Sequence, residues 1–245
     1  MLQQQNNAML CHTTPRLEAM KHALLKVRSF ADIGCDHAYL SILTAREGGF
    51  DKIIASDIKE EPLKKAYANI SRFSLGDKIE TRLGSGLLTI APSEVEAAVI
   101  AGMGADVICS VLHEGENIAR SLRFIIMQPM TGAETLRRYL YTNGFVIKSE
   151  ILVREDRRIY PIIIAESGDT GNFCEFDCYI SFALQKSHGE HFEDYFLRQK
   201  QRAMRALQGL RKSKRMDEKT KMYEELVFGF EKYEKNMKGE QKNEM

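Results

Sequence analysis

Short apolar segments rich in β-branched residues alternate with segments of helical composition along the first two thirds of the chain. The apolar segments are 30–34, 52–57, 78–83, 95–102, 123–128, 145–153 and 158–166. Segments of helical composition, such as 61–73, 106–119 and 132–142, lie between the first six. Near-continuous apolar strands that alternate with helices predict a parallel sheet covered by helices on both faces.

The last two apolar segments are joined by residues 154–157 alone. No crossover helix fits into so short a connection, so these two strands must be antiparallel. Six strands in βα alternation followed by a terminal hairpin predict a Rossmann-like α/β fold. The plan is that of a class I methyltransferase, with a seven-stranded, mostly parallel sheet and an antiparallel terminal strand.

The C-terminal part of the chain has a different pattern. Residues 167–172 have the composition of a loop, and from about residue 190 the chain is charged and helical. Apolar residues follow helical spacing in two stripes, which are Phe192, Phe196, Ala203, Ala206 and Leu210, then Tyr223, Leu226, Phe230, Tyr233 and Met237. Gly209 and the polar segment 212–217 separate the stripes. We therefore predict a domain over residues 1–166 and a helical hairpin or short coiled coil over residues 167–245.

Composition excludes some classes of protein. Of 245 residues 44% are hydrophobic, enough for a sizeable core and too many for a disordered chain. No apolar run approaches the roughly 20 residues of a membrane helix, and residues 1–8 lack the pattern of a signal peptide. The five cysteines match no strong zinc pattern, and we interpret Cys174 and Cys178 as surface loop residues. We expect a cytoplasmic monomer with no metal and no membrane partner.

The ends of the first two predicted strands carry acidic residues beside a glycine turn. In Asp32-Ile33-Gly34-Cys35-Asp36-His37-Ala38, a strand leads through a turn into a helix, where backbone amides can meet a ligand. A carboxylate at Asp36 disfavours a pyrophosphate and tolerates a cation, such as the sulfonium of S-adenosylmethionine. The alternative is an ordinary turn with Asp36 as the helix N-cap. Asp57, 25 residues after Asp32, is placed to accept hydrogen bonds from ribose hydroxyls, or else caps the next helix.

The next three strand ends also carry residues suited to a ligand, because this edge of an open α/β sheet is where ligands bind. They are Gly84-Ser85-Gly86, Ala101-Gly102-Met103-Gly104 and Gln128-Pro129. The predicted cofactor-binding residues are therefore Asp32, Gly34, Asp36, His37, Asp57, Ile58, Gly84, Ser85, Gly86, Ala101, Gly102 and Met103.

These motifs, followed by Glu155-Asp156 and Tyr160, resemble the bacterial tRNA (adenine-22-N1)-methyltransferase family, TrmK. The resemblance covers about residues 16–166, and the C-terminal hairpin is similar to that family's second domain. It implies S-adenosylmethionine as donor, tRNA as substrate and methyl transfer to N1 of an adenine. Two alternatives stay open, since Met130 and Ser85 depart from the family's pattern. One is a methyltransferase that acts on another RNA or a small molecule, and the other is a non-catalytic RNA-binding protein.

For this reaction we expect the residues Asp36, His37 and Tyr160 to be catalytic, without assigning a general base. His37 has the alternative of a histidine hydrogen-bonded in the first helical turn. The predicted wall for an extruded base consists of Met103, Gln128, Pro129, Met130 and Tyr160.

Charge is uneven along the chain. The net charge is +1 overall, but residues 1–185 carry −3 and residues 186–245 carry +4. Residues 197–215 hold eight basic residues and no acid. Such a run is commonly a solvated helix face; in a tRNA-binding protein it also predicts phosphate contacts, here by Arg198, Lys200, Arg202 and Arg205.

Overall fold

A seven-stranded sheet forms the centre of the computed structural model, which describes residues 13–213 and 217–243. Its strands lie in the order β3-β2-β1-β4-β5-β7-β6. They are β1 Ser29–Ile33, β2 Lys52–Asp57, β3 Ile79–Leu83, β4 Ala97–Gly104, β5 Phe124–Thr131, β6 Phe145–Glu155 and β7 Arg158–Ser167. Strands β1 to β5 pair in parallel, and β7 is antiparallel to both of its neighbours. The predicted strands and the terminal hairpin are confirmed.

The described helices are α1 Pro15–Leu24, α2 Tyr39–Glu47, α3 Glu60–Arg72, α4 Ala105–Glu114, α5 Glu116–Ser121, α6 Ala133–Thr142, α7 Glu175–Tyr179, α8 Phe182–Ser187, α9 Phe192–Lys212 and α10 Glu218–Asn243. A 3₁₀ turn covers Gly86–Thr89. The segment of helical composition over 106–119 forms two helices, because Gly115 divides it into α4 and α5. Helix α1 begins where Thr14 accepts a hydrogen bond from the amide of Leu17, with Pro15 in the first turn.

Alternate residues of the central strands point into two hydrophobic clusters. Phe30 and Ile126 point to the face covered by α1, α2 and α3, whereas Ala31 and Ile125 point to the face covered by α4 and α6. Both sets are buried. This explains why the strands read as continuous apolar runs in the sequence.

The second cluster continues into the C-terminal helices. Phe230 of α10 makes edge contacts with Phe176 of α7 and Phe196 of α9, at centroid distances of 5.1 and 5.2 Å. The predicted stripe on α9 is partly wrong, because Tyr195 and Leu207 are buried rather than Ala206 and Leu210. Gly209 lies inside α9 and does not end it.

A buried ion pair joins the sheet to these helices. Arg137 of α6 is fully buried and donates to both carboxylate oxygens of Glu150, at 3.1 and 2.5 Å. It also donates to the carbonyls of Cys178 and Tyr179 and to the hydroxyl of Tyr195, each at 2.9 Å. One guanidinium thus connects α6, β6, the C-terminal end of α7 and α9.

The prediction for Cys178 needs correction, and other predictions concern residues outside the described part of the chain. Cys178 is fully buried in α7, so its placement in a surface loop was wrong, whereas Cys174 is exposed just before α7. Residues 1–8, Lys214 and Arg215 fall outside the described residues. Within 13–213 and 217–243 no helix is long and apolar enough to cross a membrane.

Candidate active site

An open pocket of about 220 Å³ lies where the carboxyl ends of β1 and β4 face the first turns of α1. We call it the β1–β4 pocket. Seven residues predicted from the sequence line it, and they are Asp32, Gly34, Asp36, His37, Ala101, Gly102 and Gln128. Thr14, Arg16, Leu17 and Met20 of the α1 region close its other side.

The turn after β1 is fixed by backbone hydrogen bonds and by close packing. The amides of Gly34 and Cys35 both donate to the carbonyl of Ser56 in β2, at 2.8 and 2.9 Å. Gly34 has φ of +71°, and a Cβ there would lie 2.0 Å from Cε of Met103. The left-handed conformation favours glycine, whereas the Met103 methyl group, at the end of a flexible side chain, could move away from a Cβ. Met103 therefore covers this turn and does not line the pocket.

Asp36 and Ala38 also have positive φ angles, 48° and 55°. Helix α2 begins only at Tyr39, with Ala38 as its N-cap residue, so the alternative role of Asp36 as N-cap is wrong. Left-handed backbone at non-glycine residues costs energy and is often found at functional sites. It leaves the side chain of Asp36 two-thirds exposed at the pocket.

Asp32 is the buried acid of the pocket. Ser41 donates a hydrogen bond to its carboxylate at 2.8 Å. Burial, the largest effect, raises the pKa of Asp32 to about 6, against the opposing effect of this bond. Burial also raises the pKa of the Cys35 thiol, which therefore stays protonated at neutral pH.

Asp57 connects the ends of β1 and β2. One oxygen accepts from the amide of Asp36 at 3.3 Å, and the other accepts from the amide of Lys59 at 2.9 Å. Each carboxylate oxygen has lone pairs left for a ligand. Ile58 and Leu83, at neighbouring strand ends, are 63% and 58% exposed. They offer apolar surface on both sides of this acid.

The Gly84-Ser85-Gly86 segment lies beside β2 but does not line the β1–β4 pocket. The amide of Gly84 donates to the carbonyl of Asp57 at 3.0 Å. A Cβ on Gly84 would lie 2.8 Å from Cγ2 of Thr89, so glycine is required for packing. The hydroxyl of Ser85 lies 3.4 Å from the carboxylate of Glu114.

His37 lies before α2, and not in its first helical turn as the alternative assumed. Its Nε2 is 3.7 Å from Oδ2 of Asp36, and its ring stacks on Tyr39 at 5.3 Å. Its carbonyl accepts from the side chain of Asn69 at 3.0 Å. The imidazole is partly exposed to the pocket.

Gln128 holds the backbone turn at Gly102, which is an irregularity within β4 between Ala101 and Met103. Its side-chain oxygen accepts from the amide of Gly102 at 3.3 Å and from Arg16 at 3.0 Å, and its amide nitrogen donates to the carbonyl of Pro129. The side chain is 1% exposed, so a base could reach it only by exchanging these bonds. Gly102 has φ of +77°, and nothing lies within 4 Å of a Cβ built there. The missing side chain leaves open space on the pocket side.

Arg16 is a site residue that the sequence interpretation missed. Its Nε donates to Glu155 at 2.7 Å, and its guanidinium carbon lies 4.5 Å from the ring centroid of Tyr160. It also contacts the sulfur of Met130 at 2.9 Å. Glu155, assigned to the hairpin turn by its sequence position, ends β6 and pairs with Arg16. The Thr-Pro helix-start signal just before Arg16 could have located α1, but not these contacts.

A second groove, of about 340 Å³, lies between the sheet edge and α9, and we call it the β5–α9 groove. Its lining includes five residues predicted to bind substrate, which are Pro129, Met130, Tyr160, Arg198 and Arg202. Tyr160 is largely buried. Lys200 and Arg205 do not line this groove. Arg16 lies between the two cavities, since it lines the first and contacts Met130 and Tyr160 of the second.

The family model and the curated relatives that this chain matches are methyltransferases. The family model described as "Methyltransferase domain" matches residues 13–163. The Bacillus subtilis tRNA (adenine(22)-N(1))-methyltransferase is 31% identical over 154 residues, which cover 63% of this chain and 65% of that protein. The chain thus spans less than two thirds of this curated relative in the alignment. Two Mycoplasma relatives, from M. genitalium and M. pneumoniae, are covered to 60% and 64%.

Solved structures match over nearly their whole length. The crystal structure of the B. subtilis m1A22 tRNA methyltransferase TrmK has a TM-score of 0.78 at 25% identity, covering 90% of this chain and 98% of that one. A Streptococcus pneumoniae candidate tRNA (m1A22) methyltransferase in complex with S-adenosyl-L-methionine has a TM-score of 0.76 at 26% identity, with the same coverage.

Proposed function

This chain belongs to the methyltransferase-domain family, within the group of bacterial tRNA (adenine-22-N1)-methyltransferases, and we propose that it methylates N1 of an adenine in tRNA. The predicted family and the class I methyltransferase fold are confirmed. We extend to this chain the target position, adenine 22, that its relatives' names give. The observation that carries the proposal is the β1–β4 pocket with the β5–α9 groove beside it, separated by Arg16.

The pocket residues fit S-adenosylmethionine as the donor. The carboxylates of Asp32, Asp36 and Asp57 surround the pocket and its edge, and their charge favours a cationic ligand. The space left by the missing side chain of Gly102 admits a bulky group against the backbone. Bound in the pocket, the donor supplies an electrophilic methyl group on its sulfonium.

We assign the two ends of the donor to different residues. Asp57 would accept hydrogen bonds from the ribose hydroxyls, because its carboxylate lies at the end of β2 with free lone pairs. Ile58, with Leu83 next to it, would pack on the adenine ring. Gly84, Ser85 and Gly86 shape this edge through their backbone.

The acceptor base would enter from the β5–α9 groove. Adenine N1 already has a lone pair, so the protein's task is to align the base and exclude water. A base within folded RNA must first be turned out of its stack. Pro129, Met130 and Tyr160 provide an apolar wall for it, while Gln128 holds the Gly102 turn in place.

Methyl transfer from the sulfonium leaves its positive charge on the N1-methylated base. The exocyclic amino group of that base is then more acidic and can lose a proton to an acceptor. Asp36 and His37 are partly exposed at the pocket and are the two candidates to accept it. Tyr160, predicted as catalytic, has its ring face covered by Arg16, and we now assign it to the base wall. The predicted monomer and the cytoplasmic location stay predictions.

The test is methyl transfer from labelled S-adenosylmethionine to total bacterial tRNA, followed by nucleoside analysis. We expect the label in 1-methyladenosine. Label in a different nucleoside, or in small molecules alone, would show another methyltransferase. Donor-independent RNA binding without transfer would show the non-catalytic alternative.

A further inference from the structure

The basic residues of α9 form two groups that differ in their partners. Arg198 donates to the carbonyl of Arg157 at 2.7 Å, Lys200 to Glu234 of α10 at 2.9 Å, and Arg202 to Glu134 of α6 at 2.6 Å. Each of these three side chains therefore ties α9 to a different element. The charges of Lys200 and Arg202 are paired with carboxylates, whereas Arg198 is held at the hairpin turn by a backbone carbonyl.

The second group lies further along α9, on one face. Gln201, Arg205, Gln208 and Lys212 follow one another at steps of four, three and four residues, which places them on one side of a helix. All four are exposed, and all four line a groove of about 860 Å³ between α9 and α10. We call this row the donor stripe, since every side chain in it carries N–H donors.

The donor stripe has charge that the protein itself does not neutralise. In the part of the chain that the structure describes, neither Arg205 nor Lys212 has a carboxylate partner. The Nε of Arg205 donates to the backbone carbonyl of Gln201 at 3.3 Å, which leaves the other guanidinium nitrogens available. Arg211, also at this groove, pairs with Glu224. Among the residues that line the groove, Glu231 is the acid.

We propose that the donor stripe binds consecutive phosphates of the tRNA backbone at a distance from the methylated base. Arg205 and Lys212 are seven residues apart, which is about 10.5 Å along the helix axis, so their charges form a track along α9. A chain of phosphates offers acceptors all along such a track, and the amides of Gln201 and Gln208 can donate between the two charges. Met204, Leu207 and Val227 form the apolar floor of the groove, against which riboses can pack.

This inference rests on the proposed function and narrows it, because it assigns the main phosphate contacts of α9 to Arg205 and Lys212 and not to Lys200 and Arg202, which are paired with carboxylates. The test compares two double variants of the full chain. The first is Arg205→Gln with Lys212→Gln. The control is Lys186→Gln with Lys232→Gln, which removes the same charge from two exposed lysines outside the donor-stripe groove. Affinity for tRNA is measured from low to high salt, and donor affinity and melting temperature check each protein.

We expect the stripe variant to bind tRNA about 15- to 30-fold more weakly at 0.15 M salt, from counterion release at two phosphates. Its slope of log affinity against log salt should be shallower by about 1.4–1.8. The control should match the wild type. If the two double variants bind tRNA alike while the wild type methylates it, the proposal that the donor stripe binds phosphates is wrong and the proposed function stands. A wild type that neither binds nor methylates tRNA overturns both.

Discussion

At the scale of single residues, Asp57 is the acid whose surroundings most directly suggest a ligand. It is buried, and its carboxylate already orients the turns after β1 and β2 through the amides of Asp36 and Lys59. Replacement therefore removes a ligand contact and loosens two turns at once. If Asp57 only held these two turns, its replacement would lower the stability of the protein and leave donor binding unchanged.

We expect Asp57→Ala to weaken S-adenosylmethionine binding by about 1.5–3 kcal/mol, as for loss of hydrogen bonds to a charged group. Titration calorimetry measures this effect. Asp77→Ala, which removes an exposed acid outside both cavities, is the control and should bind normally. Normal donor affinity in a folded Asp57→Ala protein would contradict the ribose assignment.

Asp32 gives a prediction about pH. Its pKa is raised by burial to about 6 in the folded protein, well above that of an unfolded aspartate. The folded state then binds the proton more tightly, so the stability from protonated Asp32 is complete below about pH 4 and is lost as pH rises to about 6. Compared with Asp32→Asn, the wild type should lose on the order of 3 kcal/mol over this range. Urea denaturation of both proteins from pH 4 to 7 measures the difference. If the free energies of unfolding of the two proteins changed with pH in parallel, the prediction would be contradicted.

At the scale of elements, the end of β4 offers a matched pair of glycines. Gly102 has φ of +77° and faces open space, whereas Gly104 has φ of −68° and its Cβ would meet Thr131 at an ordinary 3.6 Å. Gly102→Ala should cost about 1 kcal/mol of stability through backbone strain and should place a methyl group in the pocket. Valine would add a larger strain there.

We therefore expect Gly102→Ala to lose most methyl transfer at a melting temperature reduced by a few degrees, while Gly104→Ala keeps both. Transfer to tRNA and thermal melting are measured side by side. Equal activity in the two variants would mean that methyl transfer does not need the open space at Gly102.

The centre of the sheet could be predicted from the sequence because β1, β2, β4 and β5 are buried on both faces over most of their length and read as continuous apolar runs. The outer strands β3 and β6 are only partly buried, and β3 gives the weaker pattern. The position of the candidate site at the strand ends could be predicted as well, since parallel strands bring their carboxyl ends to one edge of the sheet. Helices α7 and α8 were missed because they have five and six residues, too few to show periodicity. The role of Arg16 could not be predicted, because its partners are 112 to 139 residues away along the chain.

At the scale of the whole molecule, the two predicted domains share one core. The cluster that contains Ile125 and Leu140 of the sheet region also contains Phe196 and Phe230 of the C-terminal helices. A chain ended at residue 186 would uncover this surface and remove Tyr195 from the Arg137 network. Separate roles for the two parts are better tested by point variants, as for the donor stripe, than by truncation.

The Arg137–Glu150 pair gives the sharpest test of this coupling. Arg137→Met leaves the carboxylate of Glu150 buried without its cation, and such a change costs about 3–5 kcal/mol. Arg137→Met with Glu150→Leu removes both charges and should recover part of that loss, because the carbonyls of Cys178 and Tyr179 still lack their donor. Lys64→Ala, in an exposed pair with Glu60, should change stability little.

Urea denaturation gives the free energies of unfolding for these variants, and hydrogen exchange shows where each one opens. Because Arg137 bonds residues of β6 and α9 together, Arg137→Met should speed exchange in both elements and not in α9 alone. Acceleration confined to α9 would mean that the C-terminal helices form a separate unit. Equal instability of the single and double variants would contradict the charge argument, because the cost would then come from lost packing and hydrogen bonds and not from an unpaired charge.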